Sequence, residues 1–327
     1  MPQPLGDFTV SYYVGAYASS PCTSGWDPEL EADFYRELKA LDTIKGLEHP
    51  FLGESLHAHD DEWFLSNIDP EWSFVVTCVP GTMSAIAKNP EFGIASDAAA
   101  GREQALVFMA KARDAIAKLN AHAGRRCVTA IEVQTAPNQG RARSSAASLK
   151  ASLETMLSWD WQGARIVIEH CDSYLEGQAP AKGFLSLSDE IQAIKAVNDT
   201  LDSNVGVVIN WGRSVIEARS VTGALDHIKQ AKQAGLLAGL MFSGVSDQDT
   251  PYGAWQDTHM PAAESPNARI GAAGSLMTET QMHQCLHAAD ASRLDIVGIK
   301  LGIRPKDESI ANRVAYNREA LAIIARA

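Results

Sequence analysis

A parallel barrel of eight strands wrapped by helices, (β/α)8, is the fold class that this sequence predicts, on three observations. Eight short runs rich in Val and Ile recur along its 327 residues. Most are nearly continuous in hydrophobicity, as parallel strands covered on both faces must be. Amphipathic helical stretches alternate with them, and no glycine-rich nucleotide loop follows the first run, which favours a closed barrel over an open doubly wound sheet. A barrel of this kind takes about 250 residues plus insertions, so residues 1–327 are read as a single domain.

The strands are expected at 8–13, 46–48, 73–79, 128–134, 165–170, 205–210, 237–243 and 296–301. Helices are expected at 27–41, 97–122, 144–158, 188–201, 221–234, 278–291 and 308–326. The first has an acidic opening turn, and Ser96 is the cap candidate for the second. Thr278 with Gln281 fits a capping box, in which each side chain satisfies a free N–H of the first turn. Long loops are expected after strands two, five and seven, at 50–71, 171–186 and 244–277. All three leave the C-terminal ends of their strands, the face on which barrel active sites form. The first carries His57, His59, Asp60 and Asp61, which look like a metal cluster but lack a fixed scaffold and read better as lid structure.

Composition excludes some partners. A formal charge of −12 argues against nucleic acid and anionic membranes, both of which favour basic surfaces. Five scattered cysteines without CxxC spacing suggest reduced thiols and a cytoplasmic location. The stretch Met1 to Asp7 lacks the charged and apolar regions of a signal peptide, and no run approaches the roughly 18 apolar residues of a membrane span.

Chemistry concentrates at strand ends. Glu169 closes the run Arg165 to His170, and a regular strand turns His170 to the opposite side. Glu132 and Gln134, two apart, share one side of strand four, where an inward placement makes them hydroxyl ligands with Glu132 a second acid or base. Asn210, Trp211 and Arg213 follow strand six. They offer a hydroxyl partner, a stacking face for a sugar and an anion partner, although Arg213 suits an exposed helix start equally well. Asp257 and His259 in the third loop are further acid or base candidates. If Lys300 faces Glu169, it can polarise a carbonyl while Glu169 moves a proton from the adjacent carbon. A Schiff base at Lys300, or a structural ion pair plugging the barrel, are the alternatives.

The strand ends Gly46-Leu47-Glu48-His49-Pro50, Ile168-Glu169-His170 and Val297-Gly298-Ile299-Lys300 resemble those of the xylose-isomerase-like TIM barrels, the sugar isomerase and epimerase superfamily, in a divergent branch. The resemblance implies four metal ligands on strands five to eight. Glu169 matches the first. Asn210 stands where an aspartate is expected, Met241 or Ser243 where His or Gln is, and Lys300 where a second glutamate is. A protonated lysine cannot bind a metal. The ligand set therefore reads as degraded, and no cofactor is expected. A divalent metal shifted towards Glu132, Glu169, His170, Asp172 or His259 stays open. Glu48 occupies a position that touches substrate in the superfamily. The resemblance further implies a small carbohydrate or keto-sugar substrate, proton transfer next to its carbonyl, and a dimer or tetramer. The alternatives are a metal-free sugar lyase or dehydratase and a catalytically silent carbohydrate-binding barrel.

Overall fold

The computed structural model describes residues 12–327. Its eight strands are β1 (Tyr12–Val14), β2 (Ile44–Pro50), β3 (Ser73–Thr77), β4 (Val128–Val133), β5 (Arg165–His170), β6 (Gly206–Asn210), β7 (Leu237–Phe242) and β8 (Ile296–Ile299). They pair in parallel in chain order and close as a barrel through β8 and β1. β5 matches its expected bounds residue for residue, whereas β2 extends beyond the expected 46–48 at both ends. Residues 8–11 of the expected first strand lie outside the described residues.

Around the barrel run α1 (Ala16–Ser19), α2 (Pro28–Lys39), α3 (Asp61–Asn67), α4 (Val79–Lys88), α5 (Ala99–Ala123), α6 (Ala146–Leu157), α7 (Leu187–Leu201), α8 (Trp211–Ala218), α9 (Thr222–Gln233), α10 (Glu279–Ala289) and α11 (Ile310–Ala325). Most begin on a side chain that accepts an otherwise free N–H: Asp27, Asp60, Ser145, Ser186, Asn210, Thr278 and Ser309 do so. Thr278 caps α10 through the Gln281 N–H, half of the expected capping box. Ser96 does not cap α5. That helix starts after Ala98, and Ser96 is buried, accepting the Ala98 N–H.

The stretch expected as the first long loop is partly helical. Asp60 followed by Asp61 and Glu62 opens α3, with the negative charge that a helix N-terminus favours. Segments 171–186 and 243–278 contain neither helix nor strand beyond isolated bridges. Among the described residues, no helix is long and apolar enough to cross a membrane. The five thiols are unpaired, four of them buried.

Two cores follow from the pleat. The large one fills the space between strands and helices. The small one lies inside the barrel and includes Tyr13, Val75, Ala130, Val167, Val208 and Ile296. Closure depends on Gly298, which pairs with Tyr13 and whose missing Cβ would lie 2.3 Å from the Tyr13 carbonyl oxygen. Any side chain there pushes β8 off β1. Gly298→Ala should therefore lower unfolding stability by at least about 2 kcal/mol in urea titration, the cost of overpacking a rigid interior.

Candidate active site

Side chains two apart on a strand share a face, so each inward apolar residue is followed by an inward polar one nearer the C-terminal rim. Val75 leads to Thr77, Ala130 to Glu132, Val167 to Glu169 and Val208 to Asn210. β8 continues from Ile296 past Gly298 to Lys300, and β2 contributes Glu48. All these polar residues are buried to within about 1% of full enclosure. Sequence and pleat together stack a ring of charge on an apolar floor.

Glu169 is the hub. Its Oε1 lies 2.7 Å from Arg213 Nη1, 3.1 Å from Lys300 Nζ and 3.2 Å from Asn210 Nδ2. Its Oε2 accepts from Gln134 Nε2 at 3.0 Å and Thr77 Oγ1 at 3.5 Å. Burial alone would raise its pKa, but the Arg213 guanidinium and Lys300 ammonium overcome that and hold it well below the usual carboxylate range. Glu169 is therefore permanently ionised at neutral pH.

Glu48 and Glu132 have the opposite character. Lys300 Nζ lies 2.5 Å from Glu48 Oε1. No hydrogen-bond donor reaches either Glu132 oxygen. Oxygens of Glu48, Glu132 and Glu169 lie within 4.8 Å of one another. Burial first, then the Glu169 and Glu48 charges, push the Glu132 pKa well up. The Glu48 pKa is raised by burial against the pull of Lys300. One proton shared by the pair satisfies both groups, and the Lys300 ammonium beside Glu48 leaves that proton on Glu132. Burial works to lower the Lys300 pKa, but Glu169 and Glu48 raise it well above its ordinary value, so the neutral amine needed for a Schiff base is suppressed. Gly15 permits this crowding: a Cβ there would sit 2.8 Å from Glu48 Oε2 and 3.0 Å from Lys300 Cγ.

Charges alternate outward from the hub. Arg213 Nε binds Asp257 Oδ2 at 3.1 Å, and Lys182 Nζ reaches the same oxygen at 2.8 Å. The loops after β5 and β7 are thereby tied together over the barrel mouth. Asp172 stays in its own loop, accepting the N–H groups of Ala181, Lys182 and Gly183. His259 Nδ1 meets Ser243 Oγ at 2.7 Å, and burial pushes its pKa down to about 3, leaving it neutral. Met241 packs inside the barrel instead of facing the ring.

Two expectations need correction. Arg213 is no exposed helix start but is fully buried in the hub. Trp211 cannot stack on a sugar: β6 passes straight into α8, and Trp211 is fully buried in the outer core. Thr77 and Lys182 were not foreseen, being residue types that carry no distinctive spacing. His170 points away from the ring as expected. Burial would lower its pKa, but Glu190 at 2.8 Å and Glu217 at 3.3 Å push it up to about 10.

Glu48, Glu132, Glu169 and Lys300 line none of the four best-defined cavities. The nearest cavity, about 200 Å³, lies beside the ring and is lined by Tyr17, Trp26, Glu31, His49, His57 and His59. His57 is not a loose lid residue; it stacks on Phe64 at 5.6 Å. Tyr17 joins cavity and ring, with Lys300 Nζ 5.9 Å from its ring centre and a buried hydroxyl without a partner.

The Glu132 environment has a pH signature. The folded chain keeps a proton that the unfolded chain releases above the ordinary value of 4.5, so Glu132 costs stability increasingly as pH rises from there towards its raised pKa. Glu132→Gln removes that cost. Its Tm should exceed that of the parent by more at about pH 8 than at about pH 5, followed by circular dichroism.

A profile for the family described as "Domain of unknown function (DUF4862)" matches residues 13–316. An uncharacterized protein of Salmonella typhimurium, STM3670, is 36% identical over 319 residues, covering 97% of each chain. Among solved structures, a xylose isomerase domain containing protein of Salmonella typhimurium is similar at 12% identity and a TM-score of 0.58, covering 97% of both chains. A D-allulose 3-epimerase from Methylomonas sp. is similar at 11% identity and a TM-score of 0.52, over 97% of this chain and 96% of that one. At such identities these two likenesses bear on fold alone. The chain belongs to the DUF4862 family, and its fold is the xylose-isomerase-like TIM barrel.

Proposed function

We propose that this protein is a sugar-modifying enzyme that moves a proton next to the carbonyl of a small ketose or keto-sugar derivative, giving isomerisation or epimerisation. One observation carries the reading: two buried carboxyl groups, Glu48 and Glu132, lie side by side, one against the Lys300 ammonium and the other with no hydrogen-bond donor. Such a pair supplies a base and an acid at one pH. In the forward step the Glu48 carboxylate takes the proton from the carbon beside the carbonyl. Glu132 gives its own to the carbonyl oxygen, and the product is a neutral enediol. Collapse in the reverse sense, at the same or the neighbouring carbon, returns both protons. The Lys300 ammonium stabilises negative charge as it builds on oxygen.

Glu169 was the first choice for moving the proton, but five donors on its two oxygens make it a weak base. Its part in this reading is to hold Lys300, Arg213, Asn210 and Gln134 in place. A divalent cation of the kind the fold family implies does not fit these four strand ends. Both oxygens of Glu169 are taken, the Asn210 amide nitrogen donates to it, Met241 offers only a weakly coordinating thioether, and Lys300 is itself the cation. Substrate enters from the aromatic cavity once Tyr17 swings aside. Trp26 and the histidines there suit the C–H face of a sugar. The epimerase activity in the name of one structural neighbour agrees with this substrate class.

The aromatic cavity, whose lining includes none of the charged ring, favours a second reading, a silent barrel that binds sugar there. Ketoses and sugar acids incubated with the protein in deuterated water separate the two. Enzymatic proton transfer incorporates deuterium at the carbon beside the carbonyl, and Glu132→Gln slows this by about 10²- to 10⁴-fold. Sugar binding without exchange would sink the enzyme reading, and exchange untouched in the variant would overturn the role given to Glu132. Lys300→Met strands two buried carboxylates and should cost about 3–5 kcal/mol. Adding Glu48→Gln should recover part of that stability and none of the exchange, as read from urea titration alongside mass spectrometry.

A further inference from the structure

Behind the barrel wall a second cluster has the makings of a cation site. His170 ends β5 on the side away from the charged ring, Glu217 lies in the last turn of α8, and His227 is in α9. One ligand atom from each lies within 4.8 Å of the others. His170 Nε2 is 3.3 Å from Glu217 Oε2, and His227 Nε2 is 3.5 Å from Glu217 Oε1. Ligands ~2.0–2.1 Å from a tetrahedral cation stand about 3.3–3.4 Å apart, close to both of these nitrogen–oxygen spacings, one to each Glu217 oxygen.

The far sides of both imidazoles are already engaged. His170 Nδ1 meets Glu190 Oε2 at 2.8 Å, and Glu190 is itself held by Thr135 Oγ1 at 2.7 Å. His227 Nδ1 meets Ser214 Oγ at 3.0 Å. Both contacts turn an Nε2 towards Glu217. A carboxylate behind a histidine is the arrangement that fixes the tautomer of a metal-binding imidazole. His170 Nε2 is buried and faces Glu217 Oε2 without a hydrogen bond of acceptable geometry, so a cation at the centre would take the place of a ring proton there. The Glu217 and His227 side chains keep 14% and 13% exposure, which leaves a path from solvent.

We propose that His170, Glu217 and His227 bind a divalent transition cation of the zinc class, with water as the remaining ligand. Two imidazoles and one carboxylate are the donors such a cation prefers. The cation would pin the end of β5 to α8 and α9. Because Glu217 Oε2 also accepts the Ser173 N–H at 2.7 Å, it would brace the loop that carries Lys182.

Chelator-treated full-length protein titrated with Zn2+ and Co2+ tests this. One equivalent should bind, Tm should rise, and the Co2+ form should show the visible absorption of a tetrahedral site. Glu190→Gln should weaken uptake about 10- to 100-fold, and His227→Ala should lose it while staying folded by circular dichroism. Absence of stoichiometric uptake, or uptake unchanged in both His227→Ala and Glu217→Gln, overturns the proposal. Uptake lost instead in Glu48→Gln also overturns it, since the cation would then belong to the barrel. None of these readouts depends on turnover, so the outcome is separate from that of the proton-transfer reading.

Discussion

Everything at the rim of this barrel is arranged around the need to keep one buried carboxylate charged. An ion without partners in such a place is far too costly, and Glu169 is stable there only because two cations and three neutral donors converge on it. The demand propagates. Arg213 requires Asp257, Asp257 recruits Lys182, and Lys300 requires Glu48. The last group in the line, Glu132, has no cation left to balance it, and it is the one that stays protonated. Its altered acidity is thus a result of the network's arithmetic of charge and needs no special pocket of its own.

The same network fixes the loops. Lys182 lies in the segment after β5 and Asp257 in the segment after β7, and neither segment has a helix or strand to stiffen it. Their mutual ion pair, with Arg213 beneath, provides that rigidity. Gly244 and Met260 add a backbone bridge at the base of the second segment. The cover over the barrel is thus cross-linked by charge. The aromatic cavity lies beside the ring, against the ends of β1 and β2.

Much of this was readable in the sequence, for a physical reason. Parallel strands covered on both faces are apolar runs, and the first polar residue at the C-terminal end of such a run marks the rim. Glu132, Glu169 and Lys300 are all found that way, and Gln134 follows from the two-residue period. Trp211 was misplaced because the rule changes at Asn210. There the chain turns from a strand, which reverses direction at every residue, into a helix, which advances about 100°. Lys182 could not be found, because its importance comes from a partner about seventy-five positions away. The first helix after β2 was signalled by Asp60, Asp61 and Glu62, but the stretch was read as a loop with lid structure.

Gly15 leaves room for Glu48 and Lys300 where a Cβ would crowd both, and Tyr17 stands two residues further on, near Lys300 and lining the aromatic hollow. On the proposed route the doorway is made from the end of β1 and a single turn of helix, not from the long coverings above. Divergence in what such barrels admit should accumulate beside that doorway, while the heavily cross-braced roof stays much the same.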